Sequence, residues 1–177
     1  MDYAALFAAL HPGFFDQPHI RALPPEEVYE EQMLDLRTFP PDALTLRCPE
    51  HITFGLYTGD PSPLHDAVRL VDEDWVQYFD GTAPVYCAFD GDEIVSFCIV
   101  DDMGTHAGLR IGGPGCVGTV PAYRRLGIGL MMVSKATELL RRQSFDCAYI
   151  HYTHVGRWYA RLGYQTILRW NSRGLLP

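Results

Sequence analysis

The stretch Gly118-Thr119-Val120-Pro121-Ala122-Tyr123-Arg124-Arg125-Leu126-Gly127-Ile128-Gly129 joins an apolar strand to an amphipathic helix through a turn that carries two arginines and closely spaced glycines. The first N–H groups of a helix lack internal partners and carry the positive end of its dipole, so such a junction points donors at an anion. Gly127 and Gly129 permit tight turning and close contact between a ligand and the main chain, while Arg124 and Arg125 add charge-assisted hydrogen bonds. The chemistry read here is the binding of a pyrophosphate. Two other nucleotide-binding patterns fail on inspection: there is no Gly-x-x-x-x-Gly-Lys-Ser/Thr loop, and no Gly-x-Gly-x-x-Gly followed by an acidic residue about 20 positions on.

Such a turn needs a strand before it and a helix after it. Residues 110–120 read as a strand although they include Gly112, Gly113, Gly115 and Gly118, and glycine weakens a strand unless a backbone or a ligand must approach it. Residues 127–142 place Leu130, Val133, Ala136, Leu139 and Leu140 on one side of a helix and Lys135, Glu138, Arg141 and Arg142 on the other. Upstream, residues 85–89 and 94–100 flank Asp90-Gly91-Asp92, a strong hairpin signal. Residues 52–57 read as a strand and Asp60-Pro61-Ser62-Pro63 as a turn. Residues 64–79 read as helical, with Asp72-Glu73-Asp74 dividing them into two short helices. Downstream come a strand at residues 147–152, a short helix at 155–162 ended by Gly163, and a last strand at 164–170. The N-terminal part, residues 1–47, reads as a helical extension: a short helix at 3–10, a loop at 11–15, and a longer helix opened by Pro24-Pro25-Glu26-Glu27 that runs through Leu36 and is stopped by Pro40-Pro41.

The 177 residues, 47% of them hydrophobic, fit one domain with an appended segment and one well-formed core. No apolar run approaches the roughly 20 residues that span a bilayer. With a start, Met1-Asp2-Tyr3, that lacks the basic residues of a secretory signal, the expectation is a cytoplasmic chain. A formal charge of −8 argues against binding to nucleic acid or to an acidic membrane, both of which need clustered Lys and Arg. The five cysteines, at 48, 87, 98, 116 and 147, are odd in number and form no Cys-x-x-Cys pair, so they read as buried free thiols.

The order strand, Pro121-Ala122-Tyr123-Arg124-Arg125-Leu126-Gly127-Ile128-Gly129, long helix, strand, Trp158-Tyr159-Ala160-Arg161-Leu162-Gly163-Tyr164 resembles the GNAT superfamily of acetyl-CoA-dependent N-acetyltransferases. The resemblance covers roughly residues 51–170 and rests on two motifs: Arg124, Gly127 and Gly129 in the phosphate turn, and the aromatic-Tyr-x-x-Leu-Gly-aromatic block. It implies an α/β fold with a mixed, mostly antiparallel sheet splayed between two strands, here in residues 48–177. It also implies acetyl-CoA as the acyl donor, no metal, and a pyrophosphate on Arg125, Leu126, Gly127, Ile128, Gly129 and Leu130. The pantetheine arm would pair with Val117, Gly118 and Thr119, beside Arg124. Tyr159 matches the family's frequent general acid, which protonates the departing thiolate. Its ordinary pKa of about 10 exceeds the value of about 8.5 for a thiol.

The attacking amine must lose a proton, and the base is left open: no carboxylate stands between Gly104 and Val120, where several family members carry a glutamate. His151 is the favoured candidate, with an ordinary pKa of about 6.5, and His154, Asp101 and His106 are the others. His151-x-x-His154 lacks the helix, third ligand and glutamate of a catalytic zinc motif. Tyr152 stands where the family often has an asparagine. Seven residues follow Trp170, too few for the final hairpin strand, which is therefore absent, shared with a partner, or replaced by the N-terminal segment. In the family, the region of Trp75, Tyr78 and Phe79 borders the acceptor pocket, where a small amine or a peptide N-terminus would bind. The N-terminal helices would cap that pocket or form a homodimer surface. The competing reading is a module that senses acyl-CoA without turnover.

Overall fold

The computed structural model describes residues 1–41 and 44–177. Helix α1 (Tyr3–Leu10) is capped by Asp2, whose carboxylate accepts from the Ala5 amide at 3.0 Å. A 3₁₀ turn (Phe14–Asp16), helix α2 (Pro18–Arg21) and strand β1 (Tyr29–Asp35) follow. Strand β2 (Ile52–Leu56) leads to helix α3 (Pro61–Arg69) and a 3₁₀ segment (Glu73–Tyr78). Strands β3 (Val85–Asp90), β4 (Glu93–His106) and β5 (Leu109–Thr119) form a meander. Helix α4 (Ile128–Arg142), strand β6 (Cys147–Thr153), helix α5 (Gly156–Tyr159) with a 3₁₀ turn (Ala160–Leu162), and strands β7 (Gln165–Asn171) and β8 (Gly174–Leu175) complete the chain.

The eight strands form one sheet in the order β2-β3-β4-β5-β6-β1-β7-β8. All neighbours are antiparallel except β5 and β6, which run parallel and pair only at Ile111 with Cys147 and Gly112 with Ala148. Beyond that point the two strands part. The expected α/β fold, a mostly antiparallel sheet that splays between two strands, is the fold found.

The expected helix over residues 24–36 is corrected. Pro24 to Glu27 closes a single turn, with the Glu27 amide on the Pro24 carbonyl at 3.1 Å, and residues 29–35 are strand β1. The helix-start signals are local, but β1 gains two full ladders, one with β6 and one with β7, which outweigh propensity. The expectation that the residues after Trp170 are too few for a final hairpin strand is also corrected: two of them form β8, which pairs with β7 through Trp170 with Leu175 and Asn171 with Gly174, while segment 1–47 adds β1 between β6 and β7 to the same sheet. The stretch read as a turn at Asp60-Pro61-Ser62-Pro63 starts α3: Asp60 caps it, accepting from the Ser62 amide at 2.8 Å, and Pro61 sits where its missing N–H costs nothing. The predicted division at Asp72 is present, since Asp72 caps the 3₁₀ segment.

Alternation along the strands sorts side chains to two faces. Cys98, Val100, Ala148 and Ile150 pack against Met132, Val133, Ala136 and Leu140 of α4. The opposite face has two covers. Leu64, Ala67, Val68 and Phe79 lie over Val85, Cys87 and Phe97. Leu6 of α1 packs with Met33, Ile111, Cys147 and Tyr149, and Phe7, Phe14 and Ile20 pack with Tyr29 and Trp170. The five cysteines are free thiols, three of them buried and two half-buried. Among the described residues no helix is long and apolar enough to cross a membrane.

Candidate active site

Between β5 and α4 the chain makes a 3₁₀ turn (Pro121–Tyr123), then Arg125 (φ +67°) and Gly127 (φ +84°) take left-handed conformations before α4 begins. Among the described residues no side chain caps α4, and no acidic residue lies in its first turn, so its opening N–H groups are left for an outside acceptor. Arg124 folds back, its Nε donating to the Thr119 carbonyl at 3.0 Å. The glycines have packing reasons that sequence did not reveal. A Cβ on Gly127 would lie 1.9 Å from the Arg47 carbonyl oxygen, and one on Gly129 would lie 2.7 Å from Thr119 Oγ1. A Cβ on Gly118 would meet the Phe97 ring at 2.3 Å. The space assigned to a bound pantetheine at Gly118 is thus taken by Phe97, and it is the unpaired edge of β5, not the missing side chain, that stays open there.

One residue past the last β5–β6 pair, Gly113 still passes so close to β6 that a Cβ would lie 1.9 Å from the Tyr149 carbonyl oxygen. Past this contact both edges of the seam carry a non-glycine residue in the left-handed region, Cys116 at φ +46° on β5 and Tyr152 at φ +55° on β6. Cys116 is the extra residue of a bulge, where the β4 and β5 register slips between Phe97 and Ile99. The open edges leave backbone N–H groups facing the gap.

On the α4 side of the seam stands Tyr159, 6% exposed, edge-on to Trp158 at 4.8 Å between ring centres. Burial, and secondarily Cys98 and Cys116, push its phenol pKa well up, so the hydroxyl holds its proton throughout the neutral range. On the other side stands His151, its side chain 26% exposed. His151 Nδ1 donates to the Glu31 carboxylate at 3.0 and 3.1 Å. Glu31 is fully buried and also accepts from Trp170 Nε1 at 2.7 Å, from the Tyr152 amide at 3.2 Å, and from the Tyr149 hydroxyl. Four donors thus hold one buried carboxylate, the condition under which such a charge is tolerated. His11, just past α1, stacks on His151 at 3.7 Å and 15°. Burial first, then the neighbouring His151, lower the His11 pKa to about 4, against an opposing pull from Glu31.

Residues 81–166 match the acetyltransferase (GNAT) domain family. The chain carries a GNAT domain. Solved structures with the same fold include a GCN5-related glucosamine N-acetyltransferase region of a fungal multi-domain β-N-acetylglucosaminidase, at 18% identity and TM-score 0.67 over 82% of this chain and 20% of that one. A GCN5-related N-acetyltransferase from Sphaerobacter thermophilus superposes at 20% identity and TM-score 0.62, over 83% of this chain and 50% of the other. A ribosomal-protein-alanine N-acetyltransferase from Brucella melitensis does so at 16% identity and TM-score 0.53, over 63% of this chain and 90% of that one. This chain spans half or less of the first two proteins. No curated relative matches the sequence.

In this GNAT domain the residues singled out by sequence fall into three places. Residues 117–119 and 124–130 form the end of β5 and the turn into α4, and Tyr159 and His151 flank the seam from opposite faces. Among the acceptor candidates, Trp75 is half-buried, Tyr78 is 55% exposed, and Phe79 is a core residue, edge-on to Phe97 at 5.3 Å. Of the other base candidates, Asp101 lies across from Gly113 near the seam, His154 is exposed, and His106 bonds the Met103 carbonyl at the far end of the β4–β5 hairpin. Tyr152 packs edge-on to Tyr29 and Trp170 instead of presenting an amide.

Glu31 is what sequence reading missed. It falls inside the supposed helix, where an acid reads as a solvated charge. No local signal marked it, since both faces of the strand, Tyr29, Glu31 and Met33 on one and Glu30, Gln32 and Leu34 on the other, mix polar and apolar side chains. His11, Glu31 and His151 bring their ligating atoms within 4.8 Å of one another. They suit proton handling better than metal binding, because four donors already occupy Glu31 and two imidazoles stacked at 3.7 Å cannot both aim in-plane lone pairs at one ion about 2.0 Å away.

Proposed function

We propose that the domain transfers the acetyl group of acetyl-CoA to a primary amine by direct attack in a ternary complex. The observation that carries this reading is the His151–Glu31 pair at the seam, facing Tyr159 across the sheet. It supplies the base that was missing from β5, which also weakens the case for a sensor without turnover.

In this reading the α4 N-terminus and the turn from Arg124 to Gly127 take the pyrophosphate, and the open edge of β5 at 117–119 pairs with the pantetheine amides. The thioester then lies in the gap, where backbone N–H groups polarise its carbonyl. His151 Nε2 accepts a proton from the amine as nitrogen bonds to the carbonyl carbon, and Glu31 keeps the imidazole in the tautomer that presents that nitrogen. When the carbon–sulfur bond breaks, Tyr159 gives its proton to the sulfur from the opposite face; the proton held by His151 is then released to solvent and the Tyr159 phenolate takes one up from solvent, which restores both groups. Base and acid on opposite faces prevent the proton taken from one reactant from being spent on the wrong one.

The test is calorimetric titration with acetyl-CoA followed by thiol release across a panel of amines, for the wild type and His151→Ala. Binding with turnover that the variant loses supports the reading. Binding without turnover on any amine would favour the sensor, and absence of binding would overturn both.

A further inference from the structure

Four glycines stand in β5 between residues 112 and 118, and three are accounted for by packing. A Cβ would meet the Asp101 carbonyl oxygen at 2.6 Å from Gly112, the Tyr149 carbonyl oxygen at 1.9 Å from Gly113, and the Phe97 ring at 2.3 Å from Gly118. Gly115 differs. It is not among the glycines at positive φ, and among the described residues a Cβ built on it would meet nothing within 4 Å. Neither the backbone nor the neighbouring protein atoms require glycine there.

The position of that open space is fixed by register. Gly115 pairs with Ile99, whose side chain packs with the cluster under α3 and Phe79, so Gly115 faces away from α4. The last parallel pair is Gly112 with Ala148, and counting three residues on along each strand leads to Gly115 on β5 and His151 on β6, at corresponding positions on the two edges of the parted seam. Tyr149, two residues before His151, belongs to the same face as Ile111. The missing side chain of Gly115 therefore leaves a gap on the face of the sheet that carries His151, at the opposite edge of the seam.

We propose that Gly115 sets the size of the amine this domain accepts. This inference rests on the transferase reading. With its nitrogen at His151, the first carbons of the acceptor lie over Gly115, between the Ile99 side and the His151 side of the seam. A branched or aromatic substituent fits there because no side chain occupies the gap, and a leucine at 115 would close it to everything but small unbranched amines.

The test compares the wild type, Gly115→Ala, Gly115→Leu and Gly55→Leu on ethylamine, benzylamine and 1-naphthylmethylamine. Gly55 lies in β2, away from the seam, and a Cβ there also meets nothing within 4 Å, so it controls for adding a leucine to an open strand position. Acetyl-CoA affinity and Tm are measured on each. We expect Gly115→Leu to raise KM for the aromatic amines at least tenfold while ethylamine turnover, acetyl-CoA affinity and Tm stay near wild type. Gly115→Ala and Gly55→Leu should change none of these by more than about twofold. Unchanged KM values, or losses equal for all three amines, in a folded Gly115→Leu protein overturn the inference and leave the transferase reading intact. If Gly115→Leu does not fold, an unaltered amine ranking in Gly115→Val overturns it equally. Failure of the wild type on every amine overturns the transferase reading, and this inference with it.

Discussion

His151 Nδ1 lies 3.0 Å from Glu31 Oε2, although 120 positions separate the two residues. The buried carboxylate faces only donors, so one edge of the imidazole is fixed while the other is left to a reactant. A solvent-exposed histidine has no such constraint on its ring plane or tautomer.

Replacing His151 by alanine should lower kcat by about 10²- to 10⁴-fold, the usual contribution of a positioned base, with acetyl-CoA affinity unchanged. Single-turnover thiol release beside calorimetry separates the two quantities. Partial recovery on adding imidazole would identify the lost group as a base.

Glu31→Gln should damage both catalysis and stability. A glutamine amide brings two hydrogens into a site where the Trp170, Tyr152, Tyr149 and His151 donors already converge. At least one donor must go unpaired, at a cost of about 1–3 kcal/mol per group. Denaturant unfolding should record that loss, and kcat should fall even in the fraction that remains folded. A variant as stable and as active as the wild type would remove Glu31 from both roles.

The depressed pKa of His11 makes stability depend on pH. Its value near 4 in the folded chain lies below the ordinary 6.5, so the unfolded chain binds the extra proton more readily. The stabilisation is complete above about pH 6.5 and is lost as pH falls toward 4. His11→Phe keeps an aromatic ring on His151 and removes the titration. Its Tm should fall less steeply than that of the wild type between pH 6.5 and 4, and identical slopes would refute the assignment.

Tyr159→Phe should lower kcat by about 10²-fold or more with acetyl-CoA binding retained. The hydroxyl makes no hydrogen bond to protein among the described residues, so its removal should leave Tm within a few degrees of wild type. A large fall in Tm with kcat intact would mark Tyr159 as a packing residue only.

The sequence disclosed what is written in short windows. The Asp90-Gly91 hairpin, the amphipathic α4 with its glycine-rich approach, and the block from Trp158 to Tyr164 each depend on neighbours within a few residues. β1 does not. Pro24-Pro25-Glu26-Glu27 carries valid helix-start chemistry, yet residues 29–35 become a strand because β6 and β7 flank them, and both lie more than a hundred residues downstream. Glu31 was hidden for the same reason, since a buried carboxylate is recognisable only from the four donors that the fold gathers. Gly127 shows the opposite case: its importance was legible, but the contact that demands it, the Arg47 carbonyl, comes from a segment with no local signature.

Insertion of β1 between β6 and β7 has a consequence for the order in which the molecule is made. β1 leaves the ribosome before either strand that will flank it, and its hydrogen-bonding edges stay unpaired until the residues through Asn171 have been synthesised. Long-range pairing of this kind slows folding. The imidazole of His151 has no carboxylate to orient it until that closing step, so the chain cannot hold a half-built, prematurely active site while it is still being made.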